Sequence, residues 1–263
     1  MMDDSRRQQL LKLLNDPLIQ LNITDIGQLL QFDEALIHHS YAKEQRDNGM
    51  PCEDNERMEF MGDRILDFII SHELFTSFSE LSRDVIQRYP KYVGKDEELL
   101  TDLLHGLTND NSLSAIASEI PEFDGCILRG KGVNPEDSIR AGAFEAFIAA
   151  IYEVGGIDAT NAVVKRLFKD RIHQAEPLVS YKNRLQEYVQ KREKTVNIKG
   201  IIGYRTIPDP ASPEHNKWHI SEVWVKLSGK DLEIWGHGHR KKGKDAEAAA
   251  AEDAFKTYCS HEE

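Results

Sequence analysis

Residues 54–63 read DNERMEFMGD, and the fold of the chain turns on them. Acidic side chains are interleaved there with Met58, Phe60 and Met61, residue types that usually pack inside. On a helix, Glu56, Glu59 and Asp63 fall at i, i+3 and i+7, so all three point the same way. Like charges at that spacing weaken an isolated helix by roughly a few tenths of a kcal/mol per pair. Either the face is simply solvated, or something positive is meant to sit on it. Glu145 weighs against the first reading. It lies alone inside AGAFEAFIAAIY, where an unpaired ionised carboxylate is very costly to bury.

Carboxylates gathered from separate helices, with no His or Cys expected nearby, make a hard, oxygen-only donor set. Such a set suits Mg2+ or Mn2+ rather than zinc. These ions activate water and stabilise charge developing on a phosphoryl group. The residues themselves therefore point to metal-assisted phosphodiester hydrolysis.

The whole chain bounds that reading. Its 263 residues suit one large domain or two ordinary ones. With 40% hydrophobic and 30% charged residues the composition is globular, without a low-complexity tract. No apolar run looks long enough to cross a bilayer, so no membrane partner is expected. The opening MMDDSRRQQLLKLL carries no apolar export segment, and a cytoplasmic location is expected. Cys52, Cys126 and Cys259 are odd in number and far apart, match no zinc or disulfide spacing, and suit a reducing compartment.

The net charge of −12 is unevenly divided. Residues 1–180 hold 18 Lys and Arg against 32 Asp and Glu, a net −14, whereas residues 181–263 hold 15 against 13, a net +2. An acidic body thus carries a mildly basic tail with Arg240, Lys241, Lys242 and Lys244 clustered.

Residues 1–175 read as helical. RRQQLLKLL, FDEALIHHSYA, ERMEFMGDRILDFIISHELF, DEELLTDLLHGL and SLSAIASEI all show 3.6-type apolar spacing. SIRAGAFEAFIAAIYEV is apolar nearly all round and predicts a buried helix, followed by an amphipathic one over 157–173. HQAEPLVS breaks the pattern, and residues 176–180 are expected to be a linker. From Ser180, a candidate N-cap, the grammar changes. YKNRLQEYVQKR predicts a helix, KGIIGYRTI, WHISEVWVKL and DLEIWGHG predict strands, and KDAEAAAAEDAFKTYC predicts an alanine-rich helix. The order α-β-β-β-α over 181–263 is a compact second domain.

NERMEFMGD resembles the NERLEFLGD signature of the ribonuclease III family, and ALIHHS is similar to that family's ALTHRS, with Ile37 and His39 departing. LTNDNSLSAIASEI is similar to the segment that carries the family's asparagine, here Asn111, and AGAFEAFIAAIYEVGG resembles ADTFEALIGAIYLDGG. The C-terminal segment resembles a double-stranded RNA-binding domain in three places: RLQEY, SPEHNKW against GPxHxxxF, and GKDAEAAAAE against KKxAExxAA. The fold implied is a mainly α ribonuclease III-like domain over 1–175 plus an α+β double-stranded RNA-binding domain over 181–263.

The same resemblance implies site residues. Glu59, Asp63 and Glu145 match ligands of Mg2+ (Mn2+ possible), with Asp63 and Glu145 catalytic, and Glu56 matches an acid that helps substrate binding and a second ion. Glu97 aligns with a further family acid, across residues 79–95 that look like an insertion. Gln186, Glu187 and His215 would face minor grooves, and Lys241, Lys242 and Lys244 would face phosphates. Gly243 stands where the family has a lysine, with Arg240 and Lys241 near enough to compensate. Phe60 matches a residue that inserts into a second subunit, which implies a homodimer aligning two centres across one RNA duplex.

The departure is Gly142, where the family carries an aspartate three residues before its glutamate. Asp67, one turn beyond Asp63, or Asp137, ahead of Gly142, could replace the lost carboxylate. Two functions follow: an endoribonuclease cutting double-stranded RNA to leave 5′-phosphate and 3′-hydroxyl ends in RNA processing, or a non-catalytic double-stranded RNA-binding or ribosome-associated protein with a degenerate site. Retention of the other carboxylates favours the first. The −14 body speaks against a part buried in ribosomal RNA.

Overall fold

The computed structural model describes residues 2–134, 136–178, 180–212 and 217–259. The chain divides into two compact units, residues 1–178 and 179–263. The segment expected to link them is partly held by the first unit. Ala175 is buried, Glu176 pairs with Arg88 at 2.7 Å, and the Leu178 N–H donates to the Asp102 carbonyl at 2.8 Å.

The first unit is helical: α1 (Asp4–Leu14), α2 (Ile26–Ala35), α3 (His39–Asp47), α4 (Glu56–Arg88), α5 (Asp96–Thr108), α6 (Asp110–Ser118), the single turn α7 (Phe123–Cys126) and α8 (Asp137–His173). The apolar α8 is its axis, as the all-round pattern demands. Phe144, Phe147, Ile148 and Ile151 are completely buried. Phe147 meets Phe32 of α2 at 5.5 Å and Phe123 of α7 at 5.6 Å, in the tilted and edge-on geometries that aromatic pairs prefer. At Gly156 the backbone turns to φ 71°, ψ −175°, so α8 is two helices joined across a kink at the boundary the sequence suggests. Joined in this way it is long and apolar enough to cross a membrane, by length and composition only, which corrects the expectation that no run reaches that length. Here it packs as the core of this unit.

A second correction concerns FDEALIHHSYA, expected to be one helix. Helix α2 ends at Ala35, and His38 N–H donates to the Leu128 carbonyl at 3.0 Å while Leu128 N–H donates to the Leu36 carbonyl at 2.8 Å. That short extended pairing outweighs the helical pattern. The His38 ring then accepts the Ser40 N–H and caps α3. Buried Asn55 ties the start of α4 to the same segment, with its side chain donating to the Ala35 carbonyl at 3.2 Å and its N–H to the Ile37 carbonyl at 2.9 Å.

Helix α4 packs chiefly against α8, and Gly62 sets how closely. A Cβ at Gly62 would lie 1.8 Å from the Glu145 backbone oxygen, far inside contact distance. Residues 79–88, within the apparent insertion, extend α4 by further turns rather than forming a loop.

The second unit has α9 (Tyr181–Glu193), β1 (Ile202–Pro208), β2 (His219–Val225), β3 (Glu233–Arg240) and α10 (Gly243–Tyr258). The Ser180 hydroxyl accepts the Asn183 N–H and caps α9. The strands form an antiparallel sheet in the order β1-β2-β3, with Tyr204 opposite Val223 and Val223 opposite Gly236. Leu185, Val189, Val223, Val225, Trp235, Ala250 and Phe255 fill the space between sheet and helices. The alanines of α10 let β3 approach its backbone, since a Cβ at Gly238 would sit 2.0 Å from the Ala246 carbonyl oxygen.

A methyl group at position 62 has only helix backbone to displace. Gly62→Ala is therefore expected to lower unfolding stability by about 1–3 kcal/mol or more, the usual cost of overpacking. A denaturant titration measures this, and a midpoint equal to wild type would show that α4 and α8 do not meet at Gly62.

Candidate active site

The α4–α8 crossing opens on a cavity of about 740 Å³. Helix α4 contributes Glu56, Glu59, Phe60 and Asp63, α8 contributes Ser138, Ile139, Gly142 and Glu145, and Thr108 and Asp110 come from the corner between α5 and α6. His38, His39 and Asn55 complete the lining, which corrects the expectation that no His stands near these acids, because the pairing of His38 with Leu128 holds that segment at the recess. The four acids predicted to form the site are thus brought together. The helical face shared by Glu56, Glu59 and Asp63 looks into a recess whose floor carries Glu145.

Gly142 has a specific place in it. A Cβ there would lie 2.7 Å from the Glu59 Oε2 and 2.8 Å from its Cδ. The Glu59 carboxylate therefore rests in the space that a side chain at 142 would enter. Two glycines, one on each helix, allow the acidic groups of α4 to reach α8.

Packing these acids together changes their protonation. Burial first, then the charges of Asp63, Glu59, Asp110 and Asp67, push the Glu145 carboxyl up to about 8. Burial followed by the charge of Glu56 raises Glu59, and burial followed by the charge of Asp63 raises Asp67. Arg64 meets Asp63 at 3.1 Å and Asp67 at 3.6 Å, but it is mostly exposed and stands outside the cavity lining. His38 shifts the other way: burial, then His39 and Arg129, lower its pKa, in keeping with a ring nitrogen that accepts from Ser40.

The residues present fit a divalent cation in chemistry. They offer hard oxygen donors from three helices and an excess of negative charge that costs least when a cation neutralises it. As placed, no three His, Cys, Asp or Glu side chains among the described residues stand close enough together to hold an ion.

Other predicted residues lie apart. Glu97 is exposed in the first turn of α5, eleven residues from Thr108 and so about 17 Å along the helix from the cavity. Asp67 sits one turn beyond Asp63 without lining the recess, and accepts a hydrogen bond from Thr108. Asp137 is engaged elsewhere, accepting from the Ser114 hydroxyl at 2.7 Å and from Arg140 at 3.2 Å. Asn111 is exposed and outside the lining, whereas its neighbour Asp110 is inside it. The signal for Asp110 lay in NDNSL: Asn109 reads as an N-cap, which fixes where the next side chain starts.

On the second unit, Lys241, Lys242 and Lys244 are exposed around the start of α10, where the helix dipole adds to their positive field. Glu187 is exposed and Gln186 half-buried on α9. His215 lies outside the described residues. A Cβ at Gly243 would meet nothing nearer than the Thr206 methyl at 3.4 Å, so the position has room for a side chain.

An acidic centre between two helices, carried by a helical unit and followed by an α-β-β-β-α unit with a basic helix start, defines a two-domain protein of nuclease and double-stranded RNA-binding architecture. The model of the Ribonuclease-III-like family matches residues 29–172. The Ribonuclease 3 of Dehalococcoides mccartyi is 33% identical over 229 residues, 86% of this chain and 87% of that protein. The Ribonuclease 3 of Bacillus cereus is 32% identical over 245 residues, 90% of this chain and 87% of that protein. The nuclease domain of the Campylobacter jejuni enzyme, a solved structure, is 24% identical with a TM-score of 0.44, covering 64% of this chain and 97% of that one. The chain belongs to the ribonuclease III family.

The raised Glu145 pKa fixes a pH dependence. Between about 4.5 and about 8 the unfolded chain has released this proton and the folded chain keeps it. Folding stability of the cation-free protein is therefore fully present below that window and is lost as pH rises through it. Raised Glu59 and Asp67 act in the same direction. In EDTA, Glu145→Gln is expected to melt at a higher temperature than wild type above pH 8, with the gap closing near pH 5. Equal melting curves at both values would show that Glu145 is not strained.

Proposed function

We propose that this chain is a divalent-cation-dependent endoribonuclease that cuts double-stranded RNA and leaves 5′-phosphate and 3′-hydroxyl ends. The observation that carries this is the convergence of Glu59, Asp63 and Glu145 on one recess across the α4–α8 crossing. Membership of the family supports the same reading. The non-catalytic alternative rested on Gly142, and the Glu59 carboxylate lying against that position weakens it.

Mg2+ is the ion proposed, with Mn2+ as a substitute of similar chemistry. When bound, such an ion polarises phosphoryl oxygens and lowers the pKa of a coordinated water. Glu59, Asp63 and Glu145 would hold it with their carboxylate oxygens, and Glu56, exposed at the mouth of the recess, would serve substrate entry or a second ion. Glu145 would give up its proton as cationic charge enters beside it. On the second unit, Lys241, Lys242 and Lys244 would pair with phosphates, while Gln186, Glu187 and His215 would meet the minor groove.

The partner proposed is a second copy of the chain. Phe60 is 68% exposed beside the recess, with the Arg64 guanidinium 5.7 Å from its ring centre. A large exposed aromatic next to a reactive centre is suited to anchoring an interface. Its position would join two centres, each cutting one strand.

Long double-stranded RNA incubated with the full-length protein and Mg2+ tests the reading. Wild type is expected to cut, Glu145→Gln to lose at least about a hundredfold in rate, and Phe60→Ala to sediment as a monomer. Binding without cutting by wild type, in either Mg2+ or Mn2+, would leave the non-catalytic reading standing.

A further inference from the structure

Every polar atom of Asp209 is engaged at the point where β1 ends. Its N–H donates to the Trp218 carbonyl at 2.8 Å, one step beyond the last ladder pair, Pro208 opposite His219. Its carbonyl accepts the Ser212 N–H at 3.0 Å and the Ser212 hydroxyl at 2.7 Å. Of its carboxylate, Oδ1 accepts the Ala211 N–H at 2.9 Å, and Oδ2 lies 2.9 Å from His239 Nε2 on β3. We propose that Asp209 and His239 are positioning residues for double-stranded RNA, holding the two ends of the β1–β2 connection and the basic corner ahead of α10 as one surface. This rests on the RNA-binding reading above and names what keeps its contact regions in register.

The pair reaches across the end of β2, the central strand. Only 14% of the Asp209 side chain is exposed, and among the described residues His239 is its one basic partner. The Trp218 ring lies against the His239 ring, 5.0 Å between centres, and the Ser212 hydroxyl accepts the Trp218 N–H at 3.1 Å. Both ends of the connection are therefore tied to β3. From His239 the chain runs straight into the basic corner. There the Lys241 carbonyl accepts from His219 Nδ1 at 2.8 Å, while Lys241, Lys242 and Lys244 are exposed.

The core does not need this pair. Gly238 faces α10, so its neighbour His239 points to the opposite side of the sheet, away from the apolar layer. A partly exposed ion pair contributes little to stability. Its use lies in what it joins. A duplex presents phosphates and groove edges at fixed separations, whereas a single strand adapts to the surface it meets. A surface held in register therefore favours the duplex.

Fluorescence anisotropy with the full-length protein in EDTA, which keeps the strands intact, compares a labelled duplex with one of its strands. Asp209→Ala and His239→Ala are each expected to weaken duplex binding about tenfold, and the double variant no further, as residues acting through one contact should. Single-strand affinity and melting temperature should stay near wild type. His239→Gln, whose amide can still donate to Asp209, should recover much of the loss. Salt dependence separates positioning from direct contact, because each lost phosphate contact lowers the slope by about one. Lys242→Ala is expected to lower it, and His239→Ala to leave it unchanged. A lowered slope in His239→Ala, or duplex binding close to wild type, overturns the inference. Equal losses on duplex and single strand, with a lower melting temperature, would make the pair structural only and overturn it too. If wild type binds no duplex, the RNA-binding reading itself fails, and this inference with it.

Discussion

Everything in the catalytic unit depends on how closely α4 and α8 can approach. Gly62 has the Glu145 backbone against it, and Gly142 has the Glu59 carboxylate against it. Neither glycine is there for a special backbone angle, since each sits within a regular helix. Both remove a side chain from a crossing that would otherwise be pushed apart. Overpacked interiors do not deform smoothly; they force backbone shifts. A wider crossing would separate Asp63 from Glu145 and turn one site into two unrelated surface acids.

The same closeness creates the electrostatic strain. Bringing Glu59, Asp63, Asp110 and Glu145 to one recess raises the Glu145 carboxyl to about 8, and among the described residues the only cationic group paired with this set is Arg64 at the surface. An arrangement so costly without a counterion is the form expected of a site whose charge is balanced by a bound cation. The packing energy of the α8 aromatics holds the acids where their mutual repulsion would not.

Much of this was legible in the sequence, for physical reasons that differ from residue to residue. DNERMEFMGD placed three acids on one helical face because helical periodicity is local. Glu145 stood out because a carboxylate has no ordinary place in an apolar helix. The three strands and two helices of the second unit followed from the change of period at Ser180. What failed were readings that needed tertiary contacts. FDEALIHHSYA has helical spacing throughout, yet pairing with Leu128 breaks it and delivers His38 to the recess. Glu97 was aligned across residues 79–95, of which 79–88 extend the long helix instead, and the acid ends far from the others. Asp110 was overlooked beside Asn111, since which of two adjacent residues faces a cavity depends on a cap geometry that only the folded corner fixes.

The proposed divalent cation would be shared by carboxylates on both sides of the α4–α8 crossing. Anomalous diffraction from crystals of the full-length protein soaked in Mn2+ would locate it. A strong peak within about 2–2.5 Å of carboxylate oxygens from both Asp63 and Glu145 is the predicted result. No peak in the recess, or one bound by acids of a single helix, would contradict it.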